Sequence, residues 1–170
     1  MVKAKDPKRQ LQGAISKAKG KKFEASLDAA FAHYAAVGFA AIEKTPEPMR
    51  PTKSLDGGKF IAFFEKKAQP DYKGTIKGGR SVMFEAKFTS ADRMAQSRVL
   101  QEQGETMDRH QKLGAHCFII AGFDTGEVYR IPWPVWGHMK DHFGRKYVTE
   151  TDLAAYRVPT ARNGVLLILD

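Results

Sequence analysis

The sequence contains one cysteine and no long apolar run, and both shortages narrow the class of protein. Cys117 is the only cysteine among 170 residues, so no disulfide can form within the chain and a reducing, cytoplasmic location is expected. No apolar stretch approaches the roughly 20 residues that cross a membrane. The basic start of the chain also lacks the apolar segment of a secretory signal. We therefore expect no association with a membrane.

Several catalytic motifs are also missing. The chain has no serine-protease-like Ser/His/Asp order, no CxxC pair, no HExxH and no Walker loop, and its glycines do not match a phosphate-binding GxGxxG. His33, His116, His138 and His142 show no ligand spacing among themselves and are interpreted as structural. No organic cofactor is expected.

Positive charge is what the sequence has in excess. The formal net charge is +9 and the isoelectric point is about 9.7. Residues 1–22 hold eight lysines and arginines against the single acid Asp6, which accounts for +7 of that charge. Such a segment suits a polyanion, because each neutralised phosphate releases counterions, although a solubilising tail would have the same composition. We expect a flexible basic arm over residues 1–20 and one domain over residues 21–170.

The apolar pattern predicts an α/β domain with a mixed central sheet flanked by helices. A first helix is expected from about Phe23 to Gly38, because its apolar residues recur at helical spacing, and residues 39–44 favour a strand. Residues 45–52 are proline-rich and extended, Asp56-Gly57-Gly58 forms a turn, and residues 59–67 favour a strand or a short helix. Further strands are predicted at 80–88, 115–123, 127–131 and 165–169, and helices within 91–113 (broken near Gly104), 134–143 and 149–156.

The most informative residues are Asp71, Glu85 and Lys87. Asp71 follows Pro70 in a turn, and Glu85 lies fourteen residues later in a predicted strand with Lys87 two positions beyond it. Because side chains alternate along a strand, Glu85 and Lys87 project from the same face. A hairpin turn at Gly78-Gly79 folds this strand back beside Asp71, so the two carboxylates are expected to converge.

Two convergent carboxylates and a lysine suit phosphodiester hydrolysis. A divalent cation polarises the phosphate and activates water, and Mg²⁺ prefers carboxylate oxygens while it retains several waters. Mn²⁺ is expected to substitute. Lys87 would then orient or deprotonate the water, or stabilise the charge that develops on the phosphate. The alternative is a surface ladder of ion pairs along the strand.

The same residues resemble the PD-(D/E)XK nuclease motif, with Pro70-Asp71 followed by Glu85-Ala86-Lys87. Six short segments, in the same order, are similar to Holliday-junction resolvases of the RecU type: residues 41–48, 71–74, 84–87, 110–111, 117–120 and 144–146. The resemblance covers about residues 20–157. It implies a restriction-endonuclease-like core with a protruding stalk, formed here by about residues 43–69, that enters a four-way DNA junction.

The resemblance also implies a homodimer with two active sites and a set of site residues. Metal ligation would fall to Asp71, Glu85 and a helix glutamine, which maps onto Gln111, and Lys87 would act on the transition state. Glu24 resembles a helix glutamate that many such nucleases add to the site; an ordinary first-turn acid is the alternative. The residues predicted to bind DNA are Lys21, Lys22, Arg50, Lys53, Lys59, Lys66, Lys67, Lys73, Arg145 and Lys146.

Some of these assignments have ordinary alternatives. The stalk could be a solvated loop with a small apolar anchor, Arg145 and Lys146 could lie in a solvated loop, and His110 could position Gln111 or be merely exposed. The family has threonines before the aspartate where this chain has Gln69-Pro70, so the coordination shell differs. Three functions follow: a junction-resolving endonuclease, a related nuclease for flap, branched or duplex DNA, and a non-catalytic structure-specific DNA-binding protein.

Overall fold

A computed structural model describes residues 7–46, 48–64 and 69–170. The helices are α1 (Pro7–Ala36), α2 (Gln101–Lys112), α3 (Trp133–Gly137) and α4 (Met139–Phe143). The strands are β1 (Ala40–Lys44), β2 (Met49–Ser54), β3 (Phe60–Phe64), β4 (Tyr72–Ile76), β5 (Arg80–Thr89), β6 (Arg93–Ala95), β7 (His116–Phe123), β8 (Val128–Pro132) and β9 (Tyr147–Thr149). No described helix is long and apolar enough to cross a membrane.

Five strands form the central sheet in the order β1-β4-β5-β7-β8. All neighbours are antiparallel except β5 and β7, which run parallel. Parallel neighbours need a crossover connection, and α2 lies within the one that joins these two strands. The predicted mixed sheet flanked by helices is confirmed.

Helices cover both faces of this sheet because its strands alternate apolar side chains between two cores. On one face α1 packs Phe23, Leu27 and Phe31 against residues that include Phe84 of β5. On the other face Met107 of α2 and Trp136 of α3 belong to a second core. Trp133 and Trp136 are both buried in this second core.

Several predicted boundaries are wrong. Helix α1 begins at Pro7, far before Phe23, so the described part of the basic segment is helical; the flexibility predicted for residues 1–20 stays a prediction. The helix expected within 91–113 begins only at Gln101, because β6 and a 3₁₀ turn at Gln96–Arg98 precede it. Gly104 does not break it; this glycine lets the ring of Trp133 pack closely, 3.1 Å from where a Cβ would lie.

The carboxyl-terminal part of the chain also differs from the prediction. The helix expected over 134–143 is divided into two short helices, α3 and α4. Gly144 ends α4 in a left-handed conformation (φ 71°). The helix predicted within 149–156 is a 3₁₀ turn at Ala154–Tyr156. No strand forms over 165–169: Leu166 makes one isolated bridge, with Thr160.

Strands β2 and β3 form a separate antiparallel hairpin outside the central sheet. Every residue of β2 is exposed, including Pro51, and the turn at Asp56–Gly58 uses positive φ at Gly57 and Gly58. This hairpin, here called the stalk, occupies the predicted excursion, although Glu43 and Lys44 belong to β1. It also carries large exposed apolar side chains: Met49, Leu55, Phe60, Ile61 and Phe63.

Candidate active site

The β4–β5 hairpin brings Asp71 and Glu85 together. Its register pairs Tyr72 with Phe84, so Asp71, which immediately precedes β4, and Glu85 of β5 lie side by side. The turn needs positive φ at Gly78 (93°) and Gly79 (84°), a conformation that glycine adopts readily. The predicted hairpin and the convergence of the two carboxylates are therefore confirmed as geometry.

Each carboxylate accepts a hydrogen bond from the backbone of the opposite segment. The Asp71 N–H donates to Oε2 of Glu85 (2.9 Å), and the Ala86 N–H donates to Oδ2 of Asp71 (3.3 Å). The Thr45 N–H holds the Asp71 segment from the other side by donating to the Asp71 carbonyl (2.8 Å). Both carboxylates are consequently fixed at one position at the edge of the hairpin.

Lys87 completes this group from the same strand face. Its ammonium forms an ion pair with Oε1 of Glu85. Glu85 is 1% exposed, whereas the Lys87 side chain is 20% exposed and therefore reaches solvent. The structure thus joins three of the predicted catalytic residues, Asp71, Glu85 and Lys87, at a site whose lysine is accessible from outside.

The electrostatics of the site favour an added cation. Burial raises the pKa of the Glu85 carboxyl above its ordinary value of 4.5, and the nearby Asp71 charge raises it further, while Lys87 opposes both effects. Two carboxylates held together in a protein interior repel each other and favour protonation. A divalent cation would relieve that repulsion.

Gln103, not Gln111, is the helix glutamine at this site. Its side chain is 2% exposed and Nε2 donates to Oε1 of Glu85 (2.9 Å), while its Oε1 accepts from the Leu100 N–H (3.1 Å). Gln111 lies eight residues further along α2, about 12 Å along the helix axis at 1.5 Å per residue. Its buried Oε1 has no hydrogen-bond partner within the described part of the chain.

The prediction missed Gln103 because it extended α2 toward residue 91 and chose the glutamine from the His110-Gln111 pair. A usable signal was present: Gln103 precedes the buried Gly104 and Met107, so it begins the helix face that packs on the sheet.

Glu24 lies near the site, because the Lys44 ammonium that it binds also interacts electrostatically with Asp71. It accepts a hydrogen bond from Lys44 Nζ (2.7 Å), and its side chain is 51% exposed. The bond to Glu24 raises the pKa of Lys44, against the opposing effect of burial. Asp28, one turn further along α1, accepts a hydrogen bond from the Tyr72 hydroxyl (3.5 Å). Two acidic residues of α1, Glu24 and Asp28, therefore lie beside the start of β4.

The donor set suits a hard cation with few protein ligands. No group of three or more His, Cys, Asp or Glu side chains in the described ranges is arranged to hold a metal ion. Two carboxylates, Asp71 and Glu85, are nevertheless sufficient for Mg²⁺, which commonly binds one or two carboxylates and keeps several waters. The residues therefore fit such an ion, and the Gln103 amide nitrogen orients Glu85 by donating to its Oε1.

The residues predicted to bind DNA are distributed over several surfaces. Seven of them are exposed: Lys21, Lys22, Arg50, Lys53, Lys59, Lys73 and Lys146. Arg145 instead bonds Asp152 (2.6 Å) and stacks on Tyr147 (4.9 Å), so its guanidinium is already used within the fold. Lys66 and Lys67 lie outside the described residues. DNA binding by the set stays a prediction.

Comparison with known proteins places the chain in a family. The family model for recombination protein U (RecU) matches residues 18–167. A Holliday junction resolvase RecU from Streptococcus equi subsp. equi is 34% identical over 121 residues, which are 67% of this chain and 59% of that protein. The one from Bacillus pumilus is 31% identical over 158 residues, 86% of this chain and 75% of that protein.

The matched segment thus spans about three fifths of the length of the streptococcal relatives. Among solved structures, Hjc from Archaeoglobus fulgidus, a Holliday junction resolvase, superposes with a TM-score of 0.48 at 13% identity, over 81% of this chain and 89% of that one. The family match covers most of the chain, and the chain belongs to the RecU family of recombination proteins.

Proposed function

We propose that this protein is a metal-dependent endonuclease that resolves four-way DNA junctions by paired symmetric nicks during recombination and repair. One observation carries the proposal: the Asp71 N–H donates to Glu85, the Ala86 N–H donates to Asp71, and Lys87 pairs with Glu85 at the solvent-facing side. The RecU relatives are named Holliday junction resolvases, which supports the choice of substrate.

Asp71 and Glu85 would hold Mg²⁺ or Mn²⁺. When bound, such an ion polarises a phosphate and lowers the pKa of water. The chain's own residues supply the remainder. The Asp71 and Ala86 backbone N–H groups fix both carboxylates, and Gln103 holds the buried oxygen of Glu85.

Lys87 is the residue best suited to act on the phosphate itself. Its ammonium is kept near Glu85 by the ion pair, and its partial exposure leaves room for a DNA phosphate. Its Nζ would donate hydrogen bonds there to the oxygens on which negative charge develops.

Junction DNA and a second copy of the chain are the proposed partners. One chain carries one Asp71–Glu85 site, whereas paired nicks in a four-way junction need two sites related by symmetry. The exposed, basic stalk with Arg50, Lys53 and Lys59 is the proposed junction-recognition element. Light scattering of the purified protein should give twice the mass of one chain.

Cleavage of defined substrates tests the proposal. Labelled four-way junction, linear duplex and flap DNA are incubated with the protein, with and without Mg²⁺ or Mn²⁺. We expect paired nicks in opposite junction strands that require the ion. Preferential cutting of flaps would favour a related nuclease, and binding without any cutting would favour a non-catalytic junction-binding protein.

A further inference from the structure

A groove runs from the candidate active site along helix α1. Its volume is about 640 Å³. One wall is the first half of α1, with Ser16, Lys17 and Gly20, and the other is residues 86–91 at the end of β5 together with Arg98. Because Lys87 is part of this lining, the groove opens directly beside the two carboxylates.

The chemistry of the groove suits a polyanion. Three cations line it, Lys17, Lys87 and Arg98, and none of its described lining residues is acidic. The Arg98 guanidinium donates to the Phe88 carbonyl (2.9 Å), one residue after Lys87. That bond orients the guanidinium in advance, so less side-chain entropy is lost when it meets an anion.

The arrangement of charge along α1 gives the groove a direction. Lys17, Lys21 and Glu24 follow each other at spacings of four and three residues, so they lie on one helix face. Glu24 pairs with Lys44 near the start of β4. The charge of this helix face therefore changes from basic beside the groove to acidic beside the site. Such a surface can bind phosphates at its basic end and a cation at its acidic end.

We infer that this groove binds the sugar-phosphate backbone of the DNA strand that flanks the scissile phosphate, with Arg98 and Lys17 contacting its phosphates. The inference rests on the proposed function and adds the path of the strand away from the cut. Contacts of this kind position DNA without reading its sequence, so junction and duplex should both use them.

Two pairs of charge-matched variants test the groove in binding assays without metal. Ser16→Glu adds an acid inside the groove, whereas Ala18→Glu adds the same charge to the exposed side of α1 about 200° away. Arg98→Gln removes a cation from the groove, and Arg162→Gln removes one from an exposed loop. Dissociation constants for junction and duplex are measured across a salt series.

We expect Ser16→Glu and Arg98→Gln to weaken binding roughly tenfold at about 0.1 M salt, because affinity scales with salt to about the −0.9 power per phosphate contact. The logarithmic salt slope should fall by about one unit for Arg98→Gln. Both control variants should bind as the wild type does. Equal losses in the matched members of each pair would show that the groove is not where the strand lies.

Neutral methylphosphonates placed one at a time within half a helical turn of the cut give a second test. At a phosphate that Arg98 contacts, neutralisation should weaken the wild type but not Arg98→Gln. Absence of coupling at every position would overturn the inference. Because binding is measured without cleavage, these results test the groove independently of catalysis. A wild-type protein that cuts no DNA would count against the proposed function alone.

Discussion

At the scale of single residues, the burial of Glu85 is the feature that most needs a functional explanation. A carboxylate that is 1% exposed loses its hydration, and its removal from water is unfavourable unless partners replace the lost hydrogen bonds. Glu85 has three such partners: the Asp71 N–H, Lys87 and Gln103. Carboxylates that bind metal ions are commonly held by hydrogen bonds of this kind, so the same partners would fix Glu85 beside a cation.

Removing either carboxylate should abolish cleavage. We expect no nicking by Asp71→Asn or Glu85→Gln, because the ion loses one of its two charged ligands and with it its fixed position, whereas Lys87→Ala should cut on the order of 10²-fold more slowly. Single-turnover rates on a four-way junction measure these effects, and circular dichroism with junction binding checks the fold. Lys77→Ala, in the exposed β4–β5 turn, is the control. Wild-type rates in all three variants would exclude this site.

Gln103 and Gln111 provide a matched comparison on one helix. Gln103→Ala should slow cleavage and raise the Mg²⁺ concentration needed for half-maximal rate, because Glu85 loses the hydrogen bond that orients it. Gln111→Ala should leave both quantities unchanged. Titration of cleavage with Mg²⁺ measures them, and the reverse pattern would restore the glutamine predicted from the sequence.

The raised pKa of Glu85 predicts a pH dependence of stability without metal. Burial, and then Asp71, raise this pKa above 4.5, so the folded state binds the proton more tightly than the unfolded state does. The stabilisation is therefore fully present below the unfolded pKa and is lost as pH rises through the folded pKa. Urea unfolding at a series of pH values should show that the wild type loses stability relative to Glu85→Gln as the pH rises through the folded pKa. A free-energy difference between the two proteins that does not change with pH would contradict the raised pKa of Glu85.

At the scale of elements, the pairing of β1 with β4 requires a glycine at position 74. A Cβ there would lie 2.1 Å from the Ala41 carbonyl oxygen. Gly74→Ala should therefore cost about 1–3 kcal/mol of unfolding free energy, in the range of overpacking substitutions. Gly13→Ala, in α1 with nothing within 4 Å, should instead stabilise the protein by up to about 1 kcal/mol. Equal unfolding midpoints in urea would contradict the first expectation.

The elements also show why the sequence predicted the site better than the boundaries. The β4–β5 hairpin follows from local signals, a glycine pair and strand alternation, so Asp71, Glu85 and Lys87 could be grouped in advance. The start of α1 could not, because its first turns are rich in lysine and their two large apolar residues, Leu11 and Ile15, are exposed and do not mark a packed helix face. Residues 165–169 are apolar and Leu166 and Ile168 are buried, but a strand also needs a pairing partner, which sequence does not reveal.

At the scale of the whole molecule, substrate choice should depend on the stalk. Phosphate contacts bind any DNA, so preference for a junction must come from an element that reads shape. The stalk is exposed, basic and stiffened by Pro51, and it lies outside the sheet that holds the site. Its exposed rings, Phe60 and Phe63, are of the kind that stack on unpaired bases.

Replacing Met49–Phe64 with a short Gly/Ser linker separates substrate choice from catalysis. The replacement keeps Thr45, whose N–H bonds the Asp71 carbonyl, so metal binding should persist. The ratio of duplex to junction dissociation constants, at one salt concentration, should fall toward one, because only sequence-independent and shape-independent phosphate contacts remain. Light scattering determines whether the variant keeps the mass of the wild type, so that a change of assembly is not mistaken for a change of recognition.

An intact stalk without its charges is the control that isolates shape. Arg50→Gln, Lys53→Gln and Lys59→Gln together should weaken junction and duplex binding by similar factors, because each removed cation is a contact that either DNA can make. The ratio should then stay near that of the wild type. A ratio unchanged by the linker replacement would remove the stalk as the recognition element, and a nuclease with another branched or duplex target would become the better explanation of the Asp71–Glu85 site.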